Sequence, residues 1–118
     1  MAYNKYGVSP KIERTYNGKV YDSKLEMQYR QHLELLRKAV NPSERVVDIE
    51  EQLPYHIHIK GKKICSYKLD FEILFADGSV RCIDVKGIEG GTDVYRIKKK
   101  LVEAMYGIEI IEVYRKDF

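Results

Sequence analysis

The sequence predicts an α+β (α/β) domain, a mixed central sheet flanked by helices in the order ββ-α-ββββ-α-β. Three observations predict it. Apolar residues recur at helical spacing in two separate windows, runs rich in β-branched and aromatic residues fill the intervening chain, and turn dipeptides bound those runs. With 118 residues the chain has room for one core and no separate substrate domain.

Each element has its own signal. Residues 1–11 read as a flexible N-terminal arm ahead of a single domain at 12–118. Residues 12–16 and 19–21 flank Asn17-Gly18, a strong hairpin dipeptide. From a Ser23 start, Leu25, Tyr29, Leu33, Leu36 and Val40 follow helical spacing until Asn41-Pro42 stops the pattern. Residues 46–53 and 55–59 are strand-like on either side of Pro54, and Lys60-Gly61-Lys62-Lys63 turns the chain into a strand over 64–75. Asp77-Gly78 begins the return strand, 79–86. A glycine-rich loop at 87–91 leads to a second helical stripe, Val94, Ile97, Leu101, Ala104 and Met105, which Gly107 caps. Residues 108–113 close the domain as a last strand.

Composition excludes several classes. The balance of 21 Lys and Arg against 18 Asp and Glu is mildly basic and does not by itself name a nucleic-acid partner. No apolar run approaches the length of a membrane helix, and residues 1–6 lack the apolar stretch of a signal peptide, so the expected compartment is the cytoplasm. Cys65 and Cys82 have no metal-finger spacing and read as free strand thiols. His56 and His58 have no nearby third ligand and read as exposed strand residues. Tyr3, Tyr6, Tyr16 and Tyr21 are interleaved with Lys5, Lys11, Arg14 and Lys19; stacking on bases and packing at a sheet edge account for them equally.

The hairpin around Asp77-Gly78 bears on chemistry. A two-residue loop would set Asp70 opposite Val85 and bury Asp84 beside Phe71. A three-residue loop, Ala76-Asp77-Gly78 with Gly78 left-handed, pairs Phe75 with Ser79 and sets Asp70 opposite Asp84. The second register puts Leu69, Val85, Phe71 and Ile83 on an apolar face and Glu72, Cys82 and Lys86 with the two aspartates on the other. Hydrophobic patterning therefore prefers the register that assembles a site. Two opposed carboxylates repel unless a cation lies between them, which implies a hard divalent ion, Mg2+, with oxygen ligands. Val85 would add its backbone carbonyl, and Lys86 points to the same face, where its amine could orient an attacking water. Such a set suits phosphodiester hydrolysis without a side-chain nucleophile. The bland alternative is a solvated charged strand.

Glu26 admits two readings as well. Ser23-Lys24-Leu25-Glu26 is a capping box, in which Glu26 would bond back to the Ser23 amide and do nothing catalytic. Gln52 likewise reads as a strand-end amide bonding its own backbone. In the second helix Thr92 caps a start whose amides attract phosphate, and Arg96, Lys98, Lys99 and Lys100 follow. Lys98 borders the apolar stripe and is expected to reach toward the acidic face, while Arg96 and Lys99 point outward. The loop before this helix reads as a flap over DNA.

These residues resemble a known group. Glu26 within Asp-Ser-Lys-Leu-Glu, Asp70, Asp84-Val85-Lys86-Gly87 and the helix start Thr92-Asp93-Val94-Tyr95-Arg96-Ile97-Lys98 look like the small phage-encoded nucleases of the PD-(D/E)XK superfamily, and more narrowly a phage family labelled a domain of unknown function. The resemblance spans residues 5–113. It implies a restriction-endonuclease-like core and magnesium-dependent cleavage of DNA, with Mn2+ able to substitute. It assigns Glu26, Asp70, Asp84 and Lys86 as catalytic, with Glu26, Asp70, Asp84 and Val85 around the metal. Lys98, Lys99, Arg96, Thr92 and Lys24 are the expected DNA contacts, and Gln52 matches a recurrent glutamine. Implied settings are phage DNA recombination, repair or packaging in the bacterial host cytoplasm, with a homodimer and phage protein partners left open. The naming proline is absent, since Lys68-Leu69 precede Asp70, and the second acid is aspartate rather than glutamate. A catalytically inactive DNA- or protein-binding module on the same fold is the competing class.

Overall fold

A computed structural model describes residues 8–87 and 92–118. Residues 1–7 of the expected arm, with Tyr3 and Tyr6, and residues 88–91 of the expected flap lie outside the described residues. The described chain begins with a 3-10 turn, Lys11–Arg14, where a strand was expected, because Pro10 opens the turn and Glu13 N donates to Pro10 O. Strands β1 (Thr15–Tyr16) and β2 (Lys19–Val20) then pair around Asn17-Gly18 as a minimal hairpin. Tyr21 follows and is buried in the core, which decides its role in favour of packing.

Helix α1 (Lys24–Leu35) starts at Ser23, whose Oγ accepts from Glu26 N. It buries Leu25, Met27, Tyr29 and Leu33, whereas Val40 lies beyond its end and is exposed. The expected pair of strands around Pro54 is one continuous strand, β3 (Val46–Ile59). Proline is tolerated there because β3 is an edge strand, so a missing amide costs no ladder bond on the open side. Strand β4 (Lys62–Phe75) pairs with it along its length, β5 (Val80–Val85) runs antiparallel to β4, and β6 (Ile110–Val113) runs parallel to β5. The result is an α+β fold with a mixed four-stranded sheet in the order β3-β4-β5-β6.

The β4–β5 register is the expected one, with Phe71 opposite Ile83 and Glu72 opposite Cys82. Phe75 N donates to Ser79 O and Gly78 N to Phe75 O, and Gly78 sits at φ +89°, a conformation that side chains resist. The expected division into one apolar and one polar sheet face is wrong. Phe71, Ile73 and Ile83 pack with Tyr29 and Leu33 of α1, whereas Tyr67, Leu69 and Cys82 pack with Val102 of α2 (Asp93–Tyr106). Leu69 and Phe71 thus belong to different cores. Regular alternation fails at Asp70, because Gln52, between the paired residues Glu51 and Leu53 on β3, takes φ +56°, and the Asp70 carboxylate accepts the Val85 amide. Both faces of the sheet are therefore covered.

Helix α2 starts and stops where expected, with Thr92 Oγ1 accepting from Tyr95 N and Gly107 in the left-handed region. Its buried face differs from the expected stripe. Val94, Ile97 and Met105 are 62%, 59% and 43% exposed, and Val102 is fully buried with Tyr95 and Leu101 packed beside it. Two tyrosine hydroxyls brace that face, Tyr95 on Glu112 at 2.8 Å and Tyr106 on the His56 carbonyl at 2.7 Å. Both cysteines are free. Among the described residues no helix is long and apolar enough to cross a membrane.

Candidate functional site

The break at Asp70 creates a cleft at the junction of α1, β4, β5 and the start of α2. Its volume is about 560 Å³, and Glu26, Asp70, Asp84, Val85 and Lys86 line it together with Tyr67, Lys68 and Tyr95. Five residues singled out from sequence alone therefore meet at one place. Asp84 and Glu26 are each 4% exposed.

Hydrogen bonds fix the site's floor. Tyr67 Oη donates to Asp84 Oδ2 at 2.5 Å, and Lys86 Nζ lies 3.3 Å from the same oxygen. Val85 N donates to Asp70 Oδ2 at 2.9 Å, which holds the two acids on neighbouring strands against each other. Burial pushes the Asp70 carboxyl well above the usual range; the charges of Asp84 and Glu26 and a hydrogen bond to Asp84 raise it further. Glu26 is raised to about 7, first by burial and then by the nearby Asp22 carboxylate, with Asp84 adding to it. Asp70 and Glu26, both raised beside the Asp84 carboxylate, are oxygen donors whose mutual repulsion a hard cation would relieve.

Only the Ser23 half of the capping box forms. The Glu26 carboxylate instead accepts from Gln52 Nε2, so helix capping and site building are done by different atoms of one residue. Gln52 does not bond its own backbone as expected. Its left-handed backbone in mid-strand costs on the order of 1–3 kcal/mol, and its Oε1 is buried with no hydrogen-bond partner among the described residues. Strain and an orphaned acceptor beside a carboxylate mark a position shaped by something other than stability.

The expected DNA contacts are more scattered. Lys24 is paired with Glu13 at 3.9 Å, and Arg96 with Asp93 at 2.7 Å. Lys98 is half-buried on the face of α2 that carries Tyr95 and Val102, but it does not line the cleft as expected. Arg96, Lys99 and Lys100 line a separate pocket of about 280 Å³ with Glu103 and Glu112. Thr92 caps α2 as expected. His56 and His58 are exposed strand residues, His56 Nδ1 lying 2.9 Å from Ser66 Oγ.

Tyr67 and Tyr95 were not legible as site residues. The Tyr95 ring lies under Lys86, with Nζ 3.3 Å from its centroid, and its hydroxyl is anchored on Glu112, which also accepts from Tyr114 at 3.3 Å. Tyr67 shares the parity of Phe71 and would face α1 in a regular strand. Only the break at Asp70 turns it toward Asp84. No spacing rule in the sequence announces that break.

Among the described residues no group of three or more His, Cys, Asp and Glu side chains is drawn together as an ion-binding set. Tyr67 and Lys86 engage one oxygen of Asp84, Val85 one of Asp70 and Gln52 one of Glu26, so each acid already holds a protein donor on one oxygen.

Fold and cleft together define an α+β domain in which carboxyls from a helix and from the two inner strands of a mixed sheet meet an amine in one cleft. The chain belongs to the family described as a protein of unknown function, DUF1064, whose model matches residues 3–115. No curated protein matches it.

Proposed function

We propose that the chain is a metal-dependent DNA endonuclease that hydrolyses phosphodiester bonds. The observation that carries this reading is the convergence of Asp70, Asp84, Glu26 and Lys86 in one cleft, with the Lys86 amine held against Asp84. Asp70, Asp84, Glu26 and the Val85 carbonyl would hold Mg2+, or Mn2+ in its place. The ion supplies Lewis-acid neutralisation of developing negative charge and a lowered pKa for water. Lys86, steadied by Asp84 and the Tyr95 face, orients the attacking water and offsets charge on the phosphorane. Tyr67 and Gln52 fix the rotamers of Asp84 and Glu26. The likeness to PD-(D/E)XK phage nucleases supports the same assignment. On this reading the protein works on DNA in the bacterial host cytoplasm during phage recombination, repair or packaging, and resolution of branched DNA such as Holliday junctions is one version. That version requires two sites, hence a homodimer. Phage protein partners are compatible with it.

The protein donors already held by each carboxyl favour a second reading, a catalytically inactive DNA- or protein-binding module on the same fold. Plasmid and four-way junction DNA incubated with Mg2+ or Mn2+ separate the two. Nicking that disappears in Asp84→Asn, with DNA binding retained, supports the nuclease. Binding by the unaltered protein with no cleavage in either metal overturns it.

A further inference from the structure

We propose that the tip of the β3–β4 hairpin, residues 58–64, is a DNA-binding ribbon that engages the groove of a duplex away from the cleft. From Gln52 to Leu69 the chain carries Lys60, Lys62, Lys63 and Lys68 and no acidic residue, the longest stretch so charged. Among the described residues none of Lys60, Lys62 and Lys63 has a carboxylate within ion-pair distance. All seven residues of the tip are exposed, including Ile59 at 50% and Ile64 at 52%.

The ribbon is rigidly based. Ile57 is fully buried against α2, Tyr106 Oη bonds the His56 carbonyl at 2.7 Å, and the Tyr55 and Tyr106 rings meet edge to face. Lys60 and Gly61 close the hairpin in two residues, both left-handed, at φ +51° and +79°. A register shift between Ile57 and His58 leaves Ile64 as the extra residue, a bulge that twists the tip relative to its base. Isoleucines on a cationic ribbon are poor solvent groups, yet they suit contact with thymine methyls. Phosphates on either side would meet the lysines.

The geometry favours one polyanion. A two-stranded ribbon fits the wide major groove of B-form DNA, whereas the deep, narrow groove of an RNA duplex does not admit it. Lys62 is eight residues from Asp70 along β4, about 26 Å of strand. That distance corresponds to about eight base pairs of duplex on one side of the phosphate in the cleft. The inference deepens the nuclease reading by naming the form of its substrate.

The test is fluorescence anisotropy without metal, on a blunt duplex of about 30 base pairs, comparing the unaltered chain with a combined Lys60→Gln, Lys62→Gln, Lys63→Gln variant. The expected result is weaker binding by about tenfold or more, and a slope of log K against log salt smaller by about 2 to 3, since each phosphate contact contributes about 0.9. The Lys→Arg triple variant should keep the slope. Unchanged circular dichroism and melting temperature exclude misfolding. An unchanged slope, or an equal loss on duplex RNA and single-stranded DNA, overturns the ribbon. Cleavage by the unaltered protein with an unchanged slope sinks the ribbon and spares the nuclease; a ribbon-dependent slope with no cleavage in Mg2+ or Mn2+ does the reverse.

Discussion

At Lys86 the amine is held from two directions, by the Asp84 carboxylate and by the face of Tyr95, so it is preorganised before any substrate arrives. Lys86→Ala should keep DNA affinity and lose cleavage by about 10²-fold or more, a loss typical of removing one positioned catalytic group, measured by plasmid nicking beside anisotropy. An active Lys86→Ala protein would remove that residue from its assigned role. Glu26 supplies a second test through pH. Its folded-state pKa is raised to about 7 from the ordinary 4.5, and Asp70 is raised as well. Between those values the folded chain holds a proton that the unfolded chain has released. Stability is therefore full at acid pH, declines as pH rises through this window, and levels off once both states are ionised. Melting temperature without metal should fall between about pH 5 and pH 8, and Glu26→Gln should flatten that fall by removing the ionisation, while lowering cleavage. A melting temperature independent of pH in both proteins would contradict the buried carboxyl. Glu26 and Gln52 also mark the limit of local reading. Both residues were singled out, but whether Glu26 capped a helix or faced the site depended on a partner twenty-six positions away.

At the scale of elements the β4–β5 hairpin does most of the positioning. Its three-residue loop places Asp70 and Asp84 on neighbouring strands, and Gly78 at φ +89° permits that loop. Gly78→Ala should destabilise the fold by about 1 kcal/mol or more, read from urea denaturation, because a Cβ resists this conformation even with open space around it. Little or no loss would mean that the loop can change register without cost. This hairpin was legible because a one-residue slip would have moved Phe71 and Ile73 of β4 off the face they share with Ile83 of β5. The opposite holds for α2. Its ends were readable from Thr92 and Gly107, but its rotation was not, since the face that packs carries Tyr95, Val102 and Tyr106, whose partners lie on distant strands. Pro54, too, is a stop signal only for interior strands, and its edge location becomes visible once strand order is known.

For the whole molecule, the ion would link folding to binding. Mg2+ held at about 100 times its dissociation constant should add about 2.7 kcal/mol, raising the melting temperature by roughly 10 °C for a domain of this size. The shift should be larger at alkaline than at acid pH, where protons compete for the same carboxyls. No shift in the unaltered protein, under conditions where calorimetry detects no ion uptake, would favour the inactive binding module. The chain by itself determined the order of helices and sheet strands apart from the break expected at Pro54, the helix caps, the central register and the residues of the carboxyl cluster, because each rests on local conformation or on a period that a slip would violate. Tertiary structure decided which faces α1 and α2 cover, the reversal of alternation at Asp70, and the recruitment of Tyr67, Tyr95 and Gln52. Those outcomes depend on packing between distant segments, where one strained backbone residue redirects every side chain beyond it.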